Sequence, residues 1–267
     1  MSDAQSASLS PCLGAGASFA PIPLDDELLY SVCSAFHLLS GISSSVTTRR
    51  LLYGRNHGPR DLAMTGNRLG TLAQYLSGGN PSDCEAWLWD HTMYPLWGRF
   101  LDSAENTSWL VKVSSGNGNL AQLSGVRTHQ WFPEHLALCL ECVNADKATT
   151  GRAYWHRSHQ LPGVIRCHRH EQVLIRTCPH CGHHVDQRPS FALPAASCAY
   201  CGLEFATAKD DSYGSAAAIR YARLTSGLLA NRTHIDLAAV RSEWRRQLHA
   251  APITSWLYWC SSRYPLT

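Results

Sequence analysis

Four pairs of metal-ligating residue types, each split by a two-residue gap, crowd between positions 139 and 201: Cys139-Leu-Glu-Cys142, Cys167-His-Arg-His170, Cys178-Pro-His-Cys181 and Cys198-Ala-Tyr-Cys201. A gap of two lets both donors of a pair reach one ion at about 2.0–2.3 Å, and two pairs complete a tetrahedron. Sequence order suggests one site of three thiolates and an imidazole (Cys139, Cys142, Cys167, His170) and one of four thiolates (Cys178, Cys181, Cys198, Cys201). Sites with four protein ligands leave no open position, so they read as two structural Zn2+ ions and not as catalytic metal. Thiolate-rich donors exclude Mg2+ and Ca2+. A redox dithiol explains a single CxxC but not four spaced pairs, while one shared or interleaved site remains an alternative. His168 competes with His170 for the fourth position, and the spacing favours His170. His180, His183 and His184 read as solvated loop residues.

Seven of the 11 Cys and nine of the 14 His lie in or beside this stretch. In an oxidising compartment such a cluster could be a disulfide framework, whereas a reducing one favours metal ligation. The chain has no run of 18 apolar residues and no basic, apolar leader at its start, which reads as a soluble, cytoplasmic protein. Its 23 basic and 20 acidic residues give a formal charge of +3, so any nucleic-acid surface must be local.

Periodicity divides the rest. Residues 1–20 are small and polar and read as a flexible tail. Leu24, Leu28, Val32, Phe36 and Leu39 recur at helical spacing, with Asp25 as cap, Asp26 and Glu27 in the first turn and Gly41 as the stop. Weaker helical stretches follow at 45–53, 69–76 and 84–91, and strand signals are few, so 21–125 reads as a helical domain. Residues 126–206, rich in Cys, His, Pro and Gly, read as a tandem zinc-finger region with too few residues for an adequate apolar core. Ordering them costs roughly 1–2 kcal/mol of backbone entropy per residue, and zinc returns about 10–16 kcal/mol per site in finger peptides; Trp155, Leu161, Val164, Ile165, Val173 and Leu174 supply the remaining burial. Residues 207–267 read as a C-terminal helical segment, with helices in 215–230 and 235–250. The fold class is therefore mainly α with small zinc-binding modules.

Three segments resemble the TniQ/TnsD family of transposon target-selection proteins. The run from Ala153 through Trp155, His156, Arg157, His159, Gly163 and Cys167 to His170, followed by Leu174 and Cys178-Pro-His-Cys181-Gly, resembles its zinc segment. His91-Thr-Met-Tyr-Pro-Leu-Trp-Gly-Arg-Phe-Leu101 is similar to its HT-x-x-P…F segment, and Pro23-Leu-Asp-Asp-Glu-Leu-Leu-Tyr-Ser31 to its opening. The resemblance runs from about Pro21 to Phe205. It implies a helix-turn-helix-like N-terminal region, the eight zinc ligands given above, and a non-enzymatic adaptor. Such adaptors join target DNA, or an RNA-guided CRISPR effector complex, to the TnsC-like AAA+ ATPase; a homodimer stays open. The pattern departs at Cys167-His168-Arg169-His170, where the family commonly has Cys-Pro-x-His.

A zinc-containing transcriptional regulator unrelated to transposition is the competing class. An enzyme is disfavoured: there is no GxxxxGK[ST] loop and no spaced carboxylate set for strand transfer. Asp25, Asp26, Glu27 and Asp90 have ordinary structural explanations, and His91 is expected to bond a nearby backbone. Trp87, Trp89 and Trp97, with Tyr94, Leu96 and Phe100, are expected in the core. Positive charge concentrates after Lys147, and Arg241, Arg245 and Arg246 on one helix, with Trp244 and Leu248 as its buried side, are candidate phosphate contacts.

Overall fold

The computed structural model describes residues 19–54, 68–76, 81–115, 133–186, 190–206 and 215–250, without the side chains of 81, 82, 215 and 248–250. The expected tail up to residue 18, the polar run near 116–125 and the ending after Ala250 lie outside them, whereas Phe19 of that expected tail stacks on Phe36.

Helices dominate. They are α1 (Leu29–Leu39), α2 (Ser45–Tyr53), α3 (Leu69–Leu76), α4 (Pro81–His91), the single turn α5 (Pro95–Gly98), α6 (Ser103–Ser114), α7 (Leu140–Thr150), α8 (Ser215–Ala230) and α9 (Leu237–Ala250), with a 3-10 helix at Arg157–Gln160. Among the described residues there is no strand, only isolated antiparallel bridges. Local chemistry sets several boundaries. Ser44 accepts from the Thr47 amide and Gly54, at φ 69°, ends α2, a serine start and a left-handed glycine stop. Asp102 and Glu105 close a capping box on α6, satisfying two amides that the helix cannot pair internally.

The expected start of α1 is corrected. The helix begins at Leu29, its N-cap is Leu28, and no side chain caps it. Leu24 to Glu27 instead form a turn, closed by the Glu27 amide on the Leu24 carbonyl at 3.0 Å. Asp26 sits there at φ 58°, a conformation that costs a non-glycine residue energy and persists only where contacts over-determine it.

One apolar core runs from α1 (Leu28, Tyr30, Val32, Phe36) through Leu52, Leu72, Leu88 and Met93 to Leu136, Trp155, Leu161, Val164 and Leu174, reaching Ala222 and Leu229 of α8. Trp87, Trp89 and Tyr94 are buried in it, while Leu96 and Trp97 pack partly buried against it. Of the residues expected to fill the middle segment, Ile165 is 59% exposed. Arg166 and Val173 bridge across this turn, and strand alternation turns Ile165 outward when its neighbours Val164 and Arg166 are buried.

Candidate metal centre

Three of the four spaced pairs share one backbone design. In each, the first Cys amide donates to the carbonyl five residues on, and the residue four on donates back to the Cys carbonyl. The distances are Cys167–Gln172 2.8 and Glu171–Cys167 2.9 Å, Cys178–His183 2.7 and Gly182–Cys178 2.9 Å, and Cys198–Leu203 2.9 and Gly202–Cys198 2.8 Å. A bridge flanks each turn at the same register: Arg166 with Val173, Thr177 with His184, Ser197 with Glu204. The residue four on must be left-handed; Gly182 (φ 73°) and Gly202 (φ 74°) meet this freely, whereas Glu171 holds φ 58°. The pair Cys139/Cys142 is built differently. Cys139 is the N-cap of α7 and Cys142 lies in its first turn, where the helix dipole and free amides favour thiolate.

The donors meet in two groups. Cys139, Cys142, Cys167 and His170 bring one ligand atom each within 4.8 Å of one another, as do Cys178, Cys181, Cys198 and Cys201. In the first group His170 Nδ1 lies 3.6 Å from Cys139 Sγ, 3.2 Å from Cys142 Sγ and 3.8 Å from Cys167 Sγ, and the Cys142 and Cys167 sulfurs are 3.7 Å apart. In the second, Cys178–Cys201 is 3.7 Å and Cys181–Cys198 3.6 Å. Tetrahedral zinc with bonds of about 2.3 Å to S and 2.0–2.1 Å to N requires edges of about 3.8 Å (S–S) and 3.5 Å (S–N). Both groups therefore fit a four-coordinate divalent ion. His168 stands apart, its Nε2 3.4 Å from Ser226 Oγ. His180, His183 and His184 are exposed; His183 stacks on Tyr200 and His184 on His135.

The sulfurs of the first group act on one another. Hydrogen bonds from Cys139 and Cys142 hold the Cys167 thiol well below its usual range, and the same bonds push Cys142 up. A metal ion would replace the sulfurs' shared protons.

A network of buried charges locks this centre to the start of α1. His156, 2% exposed, contacts Asp146 of α7 through Nε2 at 2.9 Å and Asp26 through Nδ1 at 3.4 Å. The second is an ion pair without hydrogen-bond geometry, since Nδ1 has no hydrogen-bond partner. Burial opposes charge on both partners. Their mutual attraction outweighs it, pushing His156 up to about 9 and holding Asp26 at about 2. Asp26 also accepts from the Ser158 amide at 3.2 Å and from its hydroxyl. Fully buried Glu27 takes both guanidinium nitrogens of Arg152, one at 2.8 Å. Arg157 donates to the Trp89 and Thr92 carbonyls at 2.6 and 2.9 Å, and His91 Nδ1 donates to the Glu27 carbonyl at 2.8 Å. Asp26 and Glu27 are therefore long-range clamps, not the helix-start charges expected from their position. Glu27 also accepts from the Leu24 amide at 2.9 Å, but the charged partners of both residues lie more than a hundred residues away, where nothing local in the sequence signals them.

Residues 18–174 match the family model for TniQ. The chain belongs to the TniQ family. It is also similar to the Transposon Tn7 transposition protein TnsD of Escherichia coli, at 23% identity over 157 residues, which is 58% of this chain and 31% of that protein. The chain thus spans about a third of that relative. The TniQ match takes in all four donors of the first group and the His156 network, and stops before Cys178.

Two features of this TniQ chain differ from the sequence expectation at α9. Trp244, expected on a buried side, is 68% exposed, and the Leu248 side chain lies outside the described residues. Arg246 is bonded to Glu243, Nε to Oε2 at 2.8 Å, whereas Arg241 and Arg245 flank Trp244 and Val240 around an open cleft. No helix among the described residues is long and apolar enough to cross a membrane.

Proposed function

We propose that this chain is a non-enzymatic adaptor in target-site selection for DNA transposition, linking target DNA or an RNA-guided effector complex to a TnsC-like AAA+ ATPase in the bacterial cytoplasm. The observation that carries the reading is TniQ membership over residues 18–174 together with similarity to a Tn7 transposition protein. The eight clustered donors act as ligands of two structural zinc ions. Closed four-donor sites hold a surface in shape and do not activate water.

Within this reading, 21–125 is a helical docking unit, 126–206 the zinc-finger region and 207–267 a helical segment, with residues 1–20 a flexible tail. From Met1 to Thr48 the chain has four acidic residues and no Lys or Arg, which suits a basic protein surface better than phosphate. Arg241, Arg245 and Arg246 are the phosphate contacts, and exposed Trp244 gives that face an aromatic contact beside the charges.

The test is reconstitution with the AAA+ regulator and transposase from the same genetic element. The adaptor reading expects the purified chain to bind the regulator and its omission to abolish targeted insertion. A chain that leaves both unaffected while altering transcription from a bound promoter would instead be the zinc-containing regulator of the competing reading.

A further inference from the structure

The first donor group has a fifth neighbour that residue spacing does not reveal. His159, in the 3-10 helix Arg157–Gln160, is 2% exposed. Its Nε2 lies 3.9 Å from Cys142 Sγ. It stands outside the set of four donors that lie within 4.8 Å of one another, and His170 Nδ1 approaches Cys142 more closely, at 3.2 Å. It is therefore placed beside the ligand sphere and not in it.

We propose that His159 is a positioning residue of the first metal centre, its Nε2–H directed at the Cys142 thiolate so that the bound ion is retained. The proposal rests on reading that centre as a zinc site. Three thiolates and a neutral imidazole around a dication leave one net negative charge. Cys139, Cys142 and Cys167 are at most 2% exposed, and a buried negative charge is tolerated when donors point at it. The His170 amide approaches Cys167 Sγ at 3.5 Å, and His159 approaches Cys142 Sγ from the 3-10 helix.

The surrounding charges assign the roles of the two neighbouring rings. His156 faces Asp146 and Asp26 and is the cationic one. His159, whose ring centre is 4.8 Å from that of His156, faces the Cys142 sulfur through Nε2. Partners of this kind commonly change metal retention by about 10–100-fold. The path is continuous from Asp146 on α7, through His156 and His159, back to the sulfur of Cys142 on the same helix.

The experiment uses the full chain loaded with zinc, with His159→Phe, which keeps a ring but has no donor, and His159→Gln, which keeps an N–H. Zinc transfer to a chromogenic chelator, alkylation of each cysteine by N-ethylmaleimide, and the thiolate-to-metal absorption of the cobalt-substituted protein are recorded. Expected are zinc release from the first centre at least about tenfold faster in His159→Phe, faster alkylation of Cys142, and cobalt absorption moved to lower energy. Cys178 to Cys201 serve as the internal control and stay unchanged, and His159→Gln recovers most of the wild-type behaviour. Equal release and alkylation in His159→Phe and wild type overturn the proposal, as does a His159→Gln variant that folds but loses zinc like the Phe variant. If His159→Phe does not fold, the Gln variant decides: wild-type release supports the donor role and fast release overturns it. Wild-type protein without metal at the first centre removes the zinc reading itself, a result separate from any difference among variants.

Discussion

At the residue scale, stability rests on side chains whose protonation is fixed by partners across the core. His156 is raised from 6.5 to about 9, so its ion pair stabilises the fold fully below about pH 6.5 and is lost as pH rises through 9. Asp26 is lowered from 3.8 to about 2; its contribution is full above about pH 4 and lost as pH falls through 2. Zinc binding adds its own pH dependence to both proteins, so the assignment is read as a difference: in chemical denaturation of zinc-loaded protein, the stability of wild type over His156→Gln should fall from pH 6.5 to 9. An unchanged difference would contradict the assignment. Glu27→Gln leaves Arg152 facing a neutral amide in a buried site, which should cost roughly 3 kcal/mol, since breaking one side of a buried pair strands the other charge. Gly182→Ala and Gly202→Ala meet no atom within 4 Å, so each should cost only the left-handed backbone penalty, about 1–2 kcal/mol, with zinc content unchanged.

At the element scale, α2, α3, α8 and the body of α4 are legible in the sequence because apolar periodicity and Gly or Pro punctuation are local properties. The ligand groups are legible for a similar reason, since a two-residue gap dictates the turn. What the sequence hid is long-range. Asp25, Asp26 and Glu27 have the composition of a helix start, yet their carboxylates are claimed by Arg169, Ser158, His156 and Arg152. His159 shares the run from Ala153 to His170 with three other histidines, and only the fold places it against the Cys142 sulfur. Trp244 shows the opposite failure: a helical apolar line predicts burial only if something covers it, and in the described residues α9 is exposed throughout Asp236–Gln247. On α9, replacing Arg241, Arg245 and Arg246 together with Ala should weaken DNA binding similarly for unrelated sequences and reduce its salt dependence, because phosphate contacts carry no base information. Binding curves that overlay wild type at low and moderate salt would exclude this helix as a DNA contact.

At the scale of the whole molecule, two zinc sites of the kind proposed would do the work that a larger apolar core does elsewhere. The core thins beyond Leu174, where Cys178 and Cys198 are buried among few large apolar side chains, and finger peptides gain about 10–16 kcal/mol per zinc. Cys142→Ser and Cys181→Ser should each unfold their own part of the middle region. The first should also loosen α1, because α7 reaches it through Asp146, His156 and Asp26; thermal melts followed by hydrogen exchange at α1 would separate the two effects. A TniQ adaptor held together in this way would lose its partner surface with its zinc, so chelation should abolish regulator binding without any loss of chemistry. The most direct measurement is native mass spectrometry of the full chain purified without chelator. The account predicts a mass corresponding to two zinc ions per chain, with both lost and the protein unfolded on acid denaturation. A folded chain carrying one zinc or none would contradict it.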